Sequence, residues 1–169
     1  MLSRLVEIIE GKAEHLGKVW TKQVLEHPLT TSYRRLSEEE LRRRAENVYA
    51  ALGHWLDHRI SKDEAKQRYR DLGRRRCQEG FQIVELVVAL SLEKRILMDV
   101  LREESFFLNA LQMHSVFELM ESINDFFDRA LIYTIQGYET QRPHQSDDGE
   151  FRVHPTQTWF TVPKNKSNK

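Results

Sequence analysis

Gly80 separates two unlike stretches of this chain, and this boundary constrains the fold more than any other feature. Arg74, Arg75 and Arg76 stand before it, and the most apolar run of the sequence begins after it. A glycine can adopt the left-handed conformation that closes a helix. The apolar residues that follow recur at helical spacing on one face: Ile83, Leu86, Val87, Leu90, Leu97 and Leu101. The pattern predicts a basic helix that ends at Gly80 and a long central helix beyond it.

Helical periodicity extends through most of the remaining chain. An apolar stripe predicts a first helix from Leu2 to the His27-Pro28 step, where proline disfavours helical geometry. Ser37-Glu38-Glu39-Glu40 and Ser61-Lys62-Asp63-Glu64 each match a capping box, so a second and a third helix should begin there. A fifth helix is predicted from about Asn109 to Tyr138. The expected fold class is all-α, a helical bundle of about five helices with a long central helix and an irregular C-terminal tail.

Length and composition favour one domain followed by a tail. The chain has 169 residues, of which 40% are hydrophobic, and this suits one buried core better than two. After Gly137 the sequence becomes polar and is broken by proline and glycine, so we place the helical domain at residues 1–140 and a polar, partly disordered tail at 141–169. Residues 151–162 of this tail are too apolar for a linker. They could fold back on the bundle or dock on a partner protein, with Trp159 and Phe160 as anchors.

The charge balance and the single cysteine limit the functional classes. Lys and Arg together number 26, as do Asp and Glu, which removes the simplest electrostatic argument for binding nucleic acid. Cys77 is the only cysteine, so an internal disulfide is impossible and a reducing cytoplasm is expected. Charges occur too early in the sequence for a signal peptide, and no apolar run approaches the ~20 residues of a membrane span. We expect a soluble cytoplasmic protein without nucleic acid partners or direct membrane insertion.

The arginines before Gly80 raise the question of a nucleic acid surface. Three consecutive arginines on a helix spread over roughly 200°, so Arg74, Arg75 and Arg76 cannot form one stripe. No turn followed by a recognition helix comes after them. A solvated face, or pairing with the acidic fourth and fifth helices, is the favoured interpretation.

The fifth predicted helix carries two adjacent apolar seams, and a face this wide can cover more than one neighbour. Both seams could be core, and this interpretation is favoured. Alternatively, Leu119, Phe126 and Tyr133 could meet the same helix of a second subunit and form a homodimer.

Few residues suggest metal binding or catalysis. His54 and His58 stand at i and i+4, a spacing that can chelate a metal from one helical face, although surface histidines are the favoured interpretation. No histidine lies between His58 and His114, where a proximal haem ligand on a central helix would fall. The sequence has no Gly-rich phosphate loop and no nucleophile motif. We predict no cofactor, no catalytic residue and no enzymatic activity.

Several of these motifs occur together in one known family. The set comprises Leu16-x-x-x-Trp20, the capped start Ser37-Glu38-Glu39-Glu40-Leu41, and Leu72-Gly73-Arg74-Arg75-Arg76 leading into Gly80-Phe81-x-Ile83-x-Glu85-Leu86-Val87-x-Ala89-Leu90. Over about residues 1–140 the chain resembles the amino-terminal helical domain of RsbRD-type regulators, the co-antagonists of the bacterial stress-response switch kinase RsbT. The resemblance implies a non-enzymatic, all-helical sensory or protein-interaction module. Such modules usually precede a STAS output domain, which we do not expect in this sequence.

The functional hypothesis combines the resemblance with the residue patterns. We expect a bacterial sensory or regulatory module that acts through protein–protein interaction, as a stand-alone adaptor with unidentified protein partners. The alternative is a ligand- or metal-binding sensor bundle of the globin or hemerythrin kind.

Overall fold

The computed structural model describes residues 2–57, 62–105 and 110–142. The helices, in chain order, are α1 (Leu2–Gly11), α2 (Ala13–Glu26), a 3-10 helix (Thr31–Arg35), α3 (Glu38–Ala50), α4 (Leu52–Leu56), α5 (Lys62–Gln78), α6 (Ile83–Ser105) and α7 (Ala110–Glu139). These described ranges contain no strand. The all-α bundle predicted from the sequence is confirmed.

Two helices that periodicity predicts as continuous are each broken in the structure. The first bends at Lys12, whose ammonium group lies 2.6 Å from the Glu104 carboxylate of α6. The second ends before Ala51, which has φ −118° and ψ 28°. The short helix α4 then begins where the Glu10 side chain of α1 accepts a hydrogen bond of 2.9 Å from the Gly53 amide. Contacts from distant parts of the chain therefore accompany both breaks.

The predicted central helix is α6. It packs against α1, α2 and α7, and the most buried side chains on its inner face are those of Leu86, Leu97 and Leu101. The helix extends to Ser105.

Helices α5 and α7 cross with their backbones in direct contact. A Cβ atom added to Gly73 would lie 2.0 Å from the Thr134 carbonyl oxygen, and one added to Gly137 would lie 2.0 Å from the Arg70 carbonyl oxygen. Side chains at these positions would hold the helices apart, so both glycines are required by the crossing. Beside it, the Arg70 guanidinium donates a hydrogen bond of 2.8 Å to the Gln136 side chain.

Gly80 ends the basic helix in the predicted way. Its φ is +77°, a left-handed conformation that a glycine adopts without strain. The Phe81 amide donates to the Arg76 carbonyl at 3.0 Å and the Gly80 amide donates to the Cys77 carbonyl at 3.0 Å, which together form a Schellman motif. The Tyr138 hydroxyl of α7 donates to the Phe81 carbonyl at 2.7 Å, so the turn is also tied to α7.

Two expectations concern the ends of the helical domain and the membrane. Helix α7 ends at Glu139, one residue before the predicted domain end, while the predicted docking segment 151–162 lies outside the described residues. Within the described ranges, no helix combines the length and apolar character that crossing a membrane requires.

Candidate functional site

A cleft with a volume of about 340 Å³ lies between α3, α5 and α6. Its walls contain apolar side chains from all three helices: Val48, Leu72, Leu86, Ala89 and Leu90. Its rim is formed by exposed polar side chains of α3 and α5: Arg43, Asn47, Arg68 and Arg75. The volume lies within the range of pockets that hold small organic ligands.

The inner end of the cleft is formed by two buried aromatic residues, Trp20 of α2 and Tyr33 of the 3-10 helix. The Trp20 indole donates a hydrogen bond of 2.9 Å to the Ala89 carbonyl, which joins α2 to α6. The Ser32 amide donates to the Glu85 carboxylate of α6 at 2.7 Å, so the 3-10 helix is held at the same place. These contacts fix the deep wall of the cleft.

Arg76 is an almost fully buried arginine, with 1% of its surface exposed. Its guanidinium carbon lies 4.7 Å from the centre of the Phe81 ring and 5.6 Å from that of Tyr33. Its Nη1 atom pairs with the Glu79 carboxylate one helical turn away. The Schellman turn at Gly80 places Phe81 against Arg76, so the aromatic faces and one carboxylate compensate the buried charge.

Arg44 reaches the cleft from the opposite side, on α3. Ser37 caps this helix, because its hydroxyl accepts a hydrogen bond of 3.2 Å from the Glu40 amide. The Glu40 carboxylate accepts from Arg44 Nη2 at 2.7 Å and does not return to the Ser37 amide, so only half of the predicted capping box forms. The ion pair holds the Arg44 side chain on the cleft side of α3.

Three residues that line the cleft each carry a buried polar atom without a hydrogen-bond partner in the described part of the chain. These atoms are Arg44 Nη1, the Tyr69 hydroxyl oxygen and Arg76 Nε. Tyr69 is 2% exposed, so water reaches it hardly better than it reaches Arg76. Each unsatisfied buried group costs about 1–3 kcal/mol. Arg68 lies beside the Tyr69 hydroxyl and Tyr33 lies beside Arg76, so these neighbours reduce the cost at two of the three residues.

The electrostatics of the cleft are positive. Five arginines line it, and in the described ranges only Arg44 and Arg76 among them pair with a carboxylate. Glu93 is buried in the wall, and this burial raises its pKa to about 8, although the nearby Arg68 charge acts in the opposite direction. The Glu93 carboxyl is therefore mostly protonated at pH 7 and does little to neutralise the arginines.

The family model for the RsbT co-antagonist protein rsbRD N-terminal domain matches residues 16–152. The chain belongs to this family. The resemblance drawn from the sequence motifs is confirmed, and the family is one of regulatory signalling domains. No curated protein and no solved structure matches the chain. All residues of the cleft, from Trp20 to Glu93, lie within the matched range.

The arginine run of this RsbRD-type domain divides among three environments. Arg74 turns towards α7 and contacts Thr140 at 3.4 Å, besides pairing with Asp71 on its own helix. Arg75 lies on the cleft rim, and Arg76 lies inside the protein. The exposed Arg75 agrees with the predicted solvated face, whereas the burial of Arg76 contradicts that prediction.

The cleft residues escaped sequence interpretation because α3, α5 and α6 bring them together from distant positions. One signal was available in α6. Glu93 lies three residues after Leu90 and four before Leu97, so it is a charged residue on the buried stripe of an apolar helix. Such a residue indicates a functional or partnered position more often than a surface one.

The residues predicted to form a homodimer face the core of their own chain. Leu119 is fully buried and Phe126 is 2% exposed, while Tyr133 is half-buried against the same core. Among the described side chains of α7, the large apolar ones that are exposed are Phe117 and Ile132, at 60% and 54%. A partner could reach Leu119 and Phe126 only if the bundle opened, and partner binding through α7 stays a prediction.

Of the remaining predicted site residues the structure describes His54, which does not line the cleft. His54 Nε2 lies 2.8 Å from the Glu64 carboxylate, and His58 lies outside the described residues. The part of the chain that the structure describes contains no group of three or more His, Cys, Asp or Glu residues that could hold a metal. Trp159 and Phe160, the predicted anchors of the tail, also lie outside the described residues.

Proposed function

We propose that this protein is a non-enzymatic sensory module of the bacterial cytoplasm. It binds a small ligand in the cleft and signals the presence of this ligand to another protein by direct contact. Three residues that line one cavity each carry an unpartnered buried polar atom, and this observation carries the proposal. Native proteins satisfy nearly all their buried polar groups. A bound ligand would supply the partners that the chain itself lacks.

The arrangement of the helices gives such a ligand a means of acting on the protein. One wall of the cleft belongs to α3, which packs closely on α2, since a Cβ atom on Gly17 would lie 3.0 Å from the Arg42 carbonyl oxygen. The other wall belongs to α5, which crosses α7 in backbone contact. A ligand held by both walls would favour one spacing of these two helix pairs over others, and so shift the population of states.

Family membership supports an output through protein contact. The description of the matching family names its members as domains of an RsbT co-antagonist protein, and co-antagonism is a regulatory relation between proteins. We extend this relation to the present chain and propose that its direct partner is RsbT or a STAS domain of an RsbRD-type regulator. We include in this proposal the adaptor role and self-association through α7, as two forms of protein contact through which the ligand signal is passed on.

A bacterial two-hybrid assay with RsbT and with such a STAS domain tests this function. The wild-type chain should give a contact signal with at least one of the two. Ala89→Leu should change that signal, because Ala89 is buried in the cleft wall and a larger side chain there occupies ligand space. Ala50→Leu makes the same chemical change at an exposed position of α3 and should leave the signal as in the wild type.

Two results would contradict the proposed function. One is the absence of contact with either partner, and the other is an equal signal from the Ala89 and Ala50 variants. Both variants should keep the wild-type far-UV circular dichroism, because the cavity has room for the carbon atoms added at Ala89 and because Ala50 is exposed. This measurement separates a change in signalling from a loss of fold.

A further inference from the structure

We propose that the ligand of this cleft is a small organic anion, whose oxyanion group binds between Arg44 and Arg76 beside the Tyr69 hydroxyl and whose apolar part lies against α6. The inference rests on the proposed sensory function and specifies the chemical class of its ligand. Carboxylates, phosphates and sulfonates share this chemistry.

The unpartnered atoms define what the ligand must offer. Guanidinium nitrogens donate hydrogen bonds and cannot accept them, and the Tyr69 hydroxyl can also donate. All three groups can therefore be satisfied by acceptor atoms on a ligand. Because two of the donors are charged, an anionic acceptor forms the stronger, charge-assisted hydrogen bonds. The donors come from α3 and α5, which places the oxyanion between these helices.

The apolar walls exclude a bare inorganic ion as the full occupant. An oxyanion would fill only a small part of about 340 Å³, and it would leave the side chains of Leu86, Ala89 and Leu90 facing an unfilled volume. An aromatic or aliphatic body on the anion would cover them and gain about 25 cal/mol per Å² of apolar surface removed from water. The cleft therefore fits a molecule with one charged end and one apolar end.

Glu93 adds a pH dependence to this binding. In its neutral form the carboxyl can donate a hydrogen bond to the anion, whereas its ionised form repels the anion. The other titratable or charged side chains lining the cleft are arginines and tyrosines of α3, α5 and the 3-10 helix: Arg43, Arg44, Arg68, Arg75, Arg76, Tyr33 and Tyr69. Burial raises the pKa of both tyrosines, so they stay neutral up to pH 9. The expected change of charge in this range is therefore that of Glu93.

Fluorescence titration with 8-anilino-1-naphthalenesulfonate tests the proposal, since this probe joins a sulfonate to an apolar ring system. N-phenyl-1-naphthylamine has the same rings without the sulfonate and is the matched neutral probe. The sulfonate should bind one site per chain, at least about tenfold more tightly than the amine. Its affinity should fall as sodium chloride is raised, and should fall by roughly tenfold between pH 7 and pH 9. Glu93→Gln should remove most of this pH step.

Two pairs of variants separate the site from general effects on the fold. Arg44→Gln and Arg42→Gln each remove an i,i+4 ion pair from α3, but only Arg44 lines the cleft. Arg44→Gln should weaken sulfonate binding by about tenfold, and Arg42→Gln should not weaken it. Tyr69→Phe removes the unpartnered hydroxyl and should weaken binding without loss of stability. Tyr138→Phe removes a hydroxyl that is hydrogen-bonded outside the cleft, so it should lower the stability of the fold without weakening sulfonate binding.

Competition identifies the headgroup. Displacement of the bound sulfonate by 1-naphthyl phosphate, by 1-naphthoate or by both supports the proposal and distinguishes phosphate from carboxylate. Displacement by neither overturns it. The proposal is also overturned if the neutral amine binds as tightly as the sulfonate, or if Tyr69→Phe and Arg44→Gln bind the sulfonate like the wild type. A preference for the neutral amine would leave the sensory function standing, because that function is tested separately by the response of the two-hybrid signal to Ala89→Leu.

Discussion

Gly73→Ala is the substitution whose effect the structure defines most closely. Gly73 lies where α5 crosses α7, and the added Cβ would sit 2.0 Å from the Thr134 carbonyl oxygen and 2.7 Å from the Tyr138 amide nitrogen. Both atoms belong to the backbone of α7, so neither can rotate out of the way. Ordinary contacts of a Cβ begin near 3.4 Å, and the two helices would have to move apart by about 1.4 Å, the difference between 3.4 and 2.0 Å.

The expected cost follows from two opposing terms. Overpacking of a closely packed site costs about 1–3 kcal/mol, and a rigid backbone contact belongs at the upper end of this range. Alanine is favoured over glycine inside a helix by about 1 kcal/mol. The net loss in the free energy of unfolding should be about 2 kcal/mol. For a chain of this size, that loss lowers Tm by roughly 4–8 °C.

Thermal and urea unfolding followed by far-UV circular dichroism measure this loss. Gly11→Ala is the matched control, because nothing lies within 4 Å of a Cβ atom at Gly11 and the residue is helical. It should be neutral or gain up to about 1 kcal/mol. The double variant of Gly73 and Gly137 should lose less than the sum of the single losses, since one separation of the helices relieves both clashes. If Gly73→Ala is as stable as Gly11→Ala, the close crossing described above is wrong.

Three further substitutions test the other features of the fold. The pKa of Glu93 is raised in the folded protein, so its proton contributes fully to stability below about pH 4.5, and this contribution is lost as the pH rises through about 8. Glu93→Gln should therefore become more stable relative to the wild type as the pH rises. Unfolding at several pH values will detect this change. Ser37→Ala should lose about 1 kcal/mol in urea unfolding, because the Glu40 amide loses its cap. Trp20→Phe should lose about 2 kcal/mol in the same assay, since it removes the hydrogen bond to the Ala89 carbonyl and leaves a void.

Features encoded within a few residues were predictable from the sequence, and features formed between distant residues were not. The left-handed Gly80 and the Ser37 cap depend on local geometry, and both occur where the sequence pattern places them. The break at Lys12 is accompanied by an ion pair with Glu104, a partner that no local pattern announces. Gly73 contributed to the family resemblance, yet its role depends on Thr134 of a helix that lies far away in the sequence.

The cleft was missed for the same physical reason, and its position explains why it suits a sensory role. Helix α5 carries Tyr69, Gly73 and Arg76 at i, i+4 and i+7, so the residue that crosses α7 and two residues that line the cleft lie on one side of the helix. Glycine and arginine interrupt the apolar spacing on this side, so helical periodicity does not mark the whole of it as buried. Once α7 fixes α5 and α2 fixes α3, residues of both walls that carry an unpartnered donor line one cavity. A ligand that supplies those acceptors joins the two helix pairs, so its binding free energy depends on their spacing. That dependence is what a regulatory domain needs in order to report its ligand to a partner.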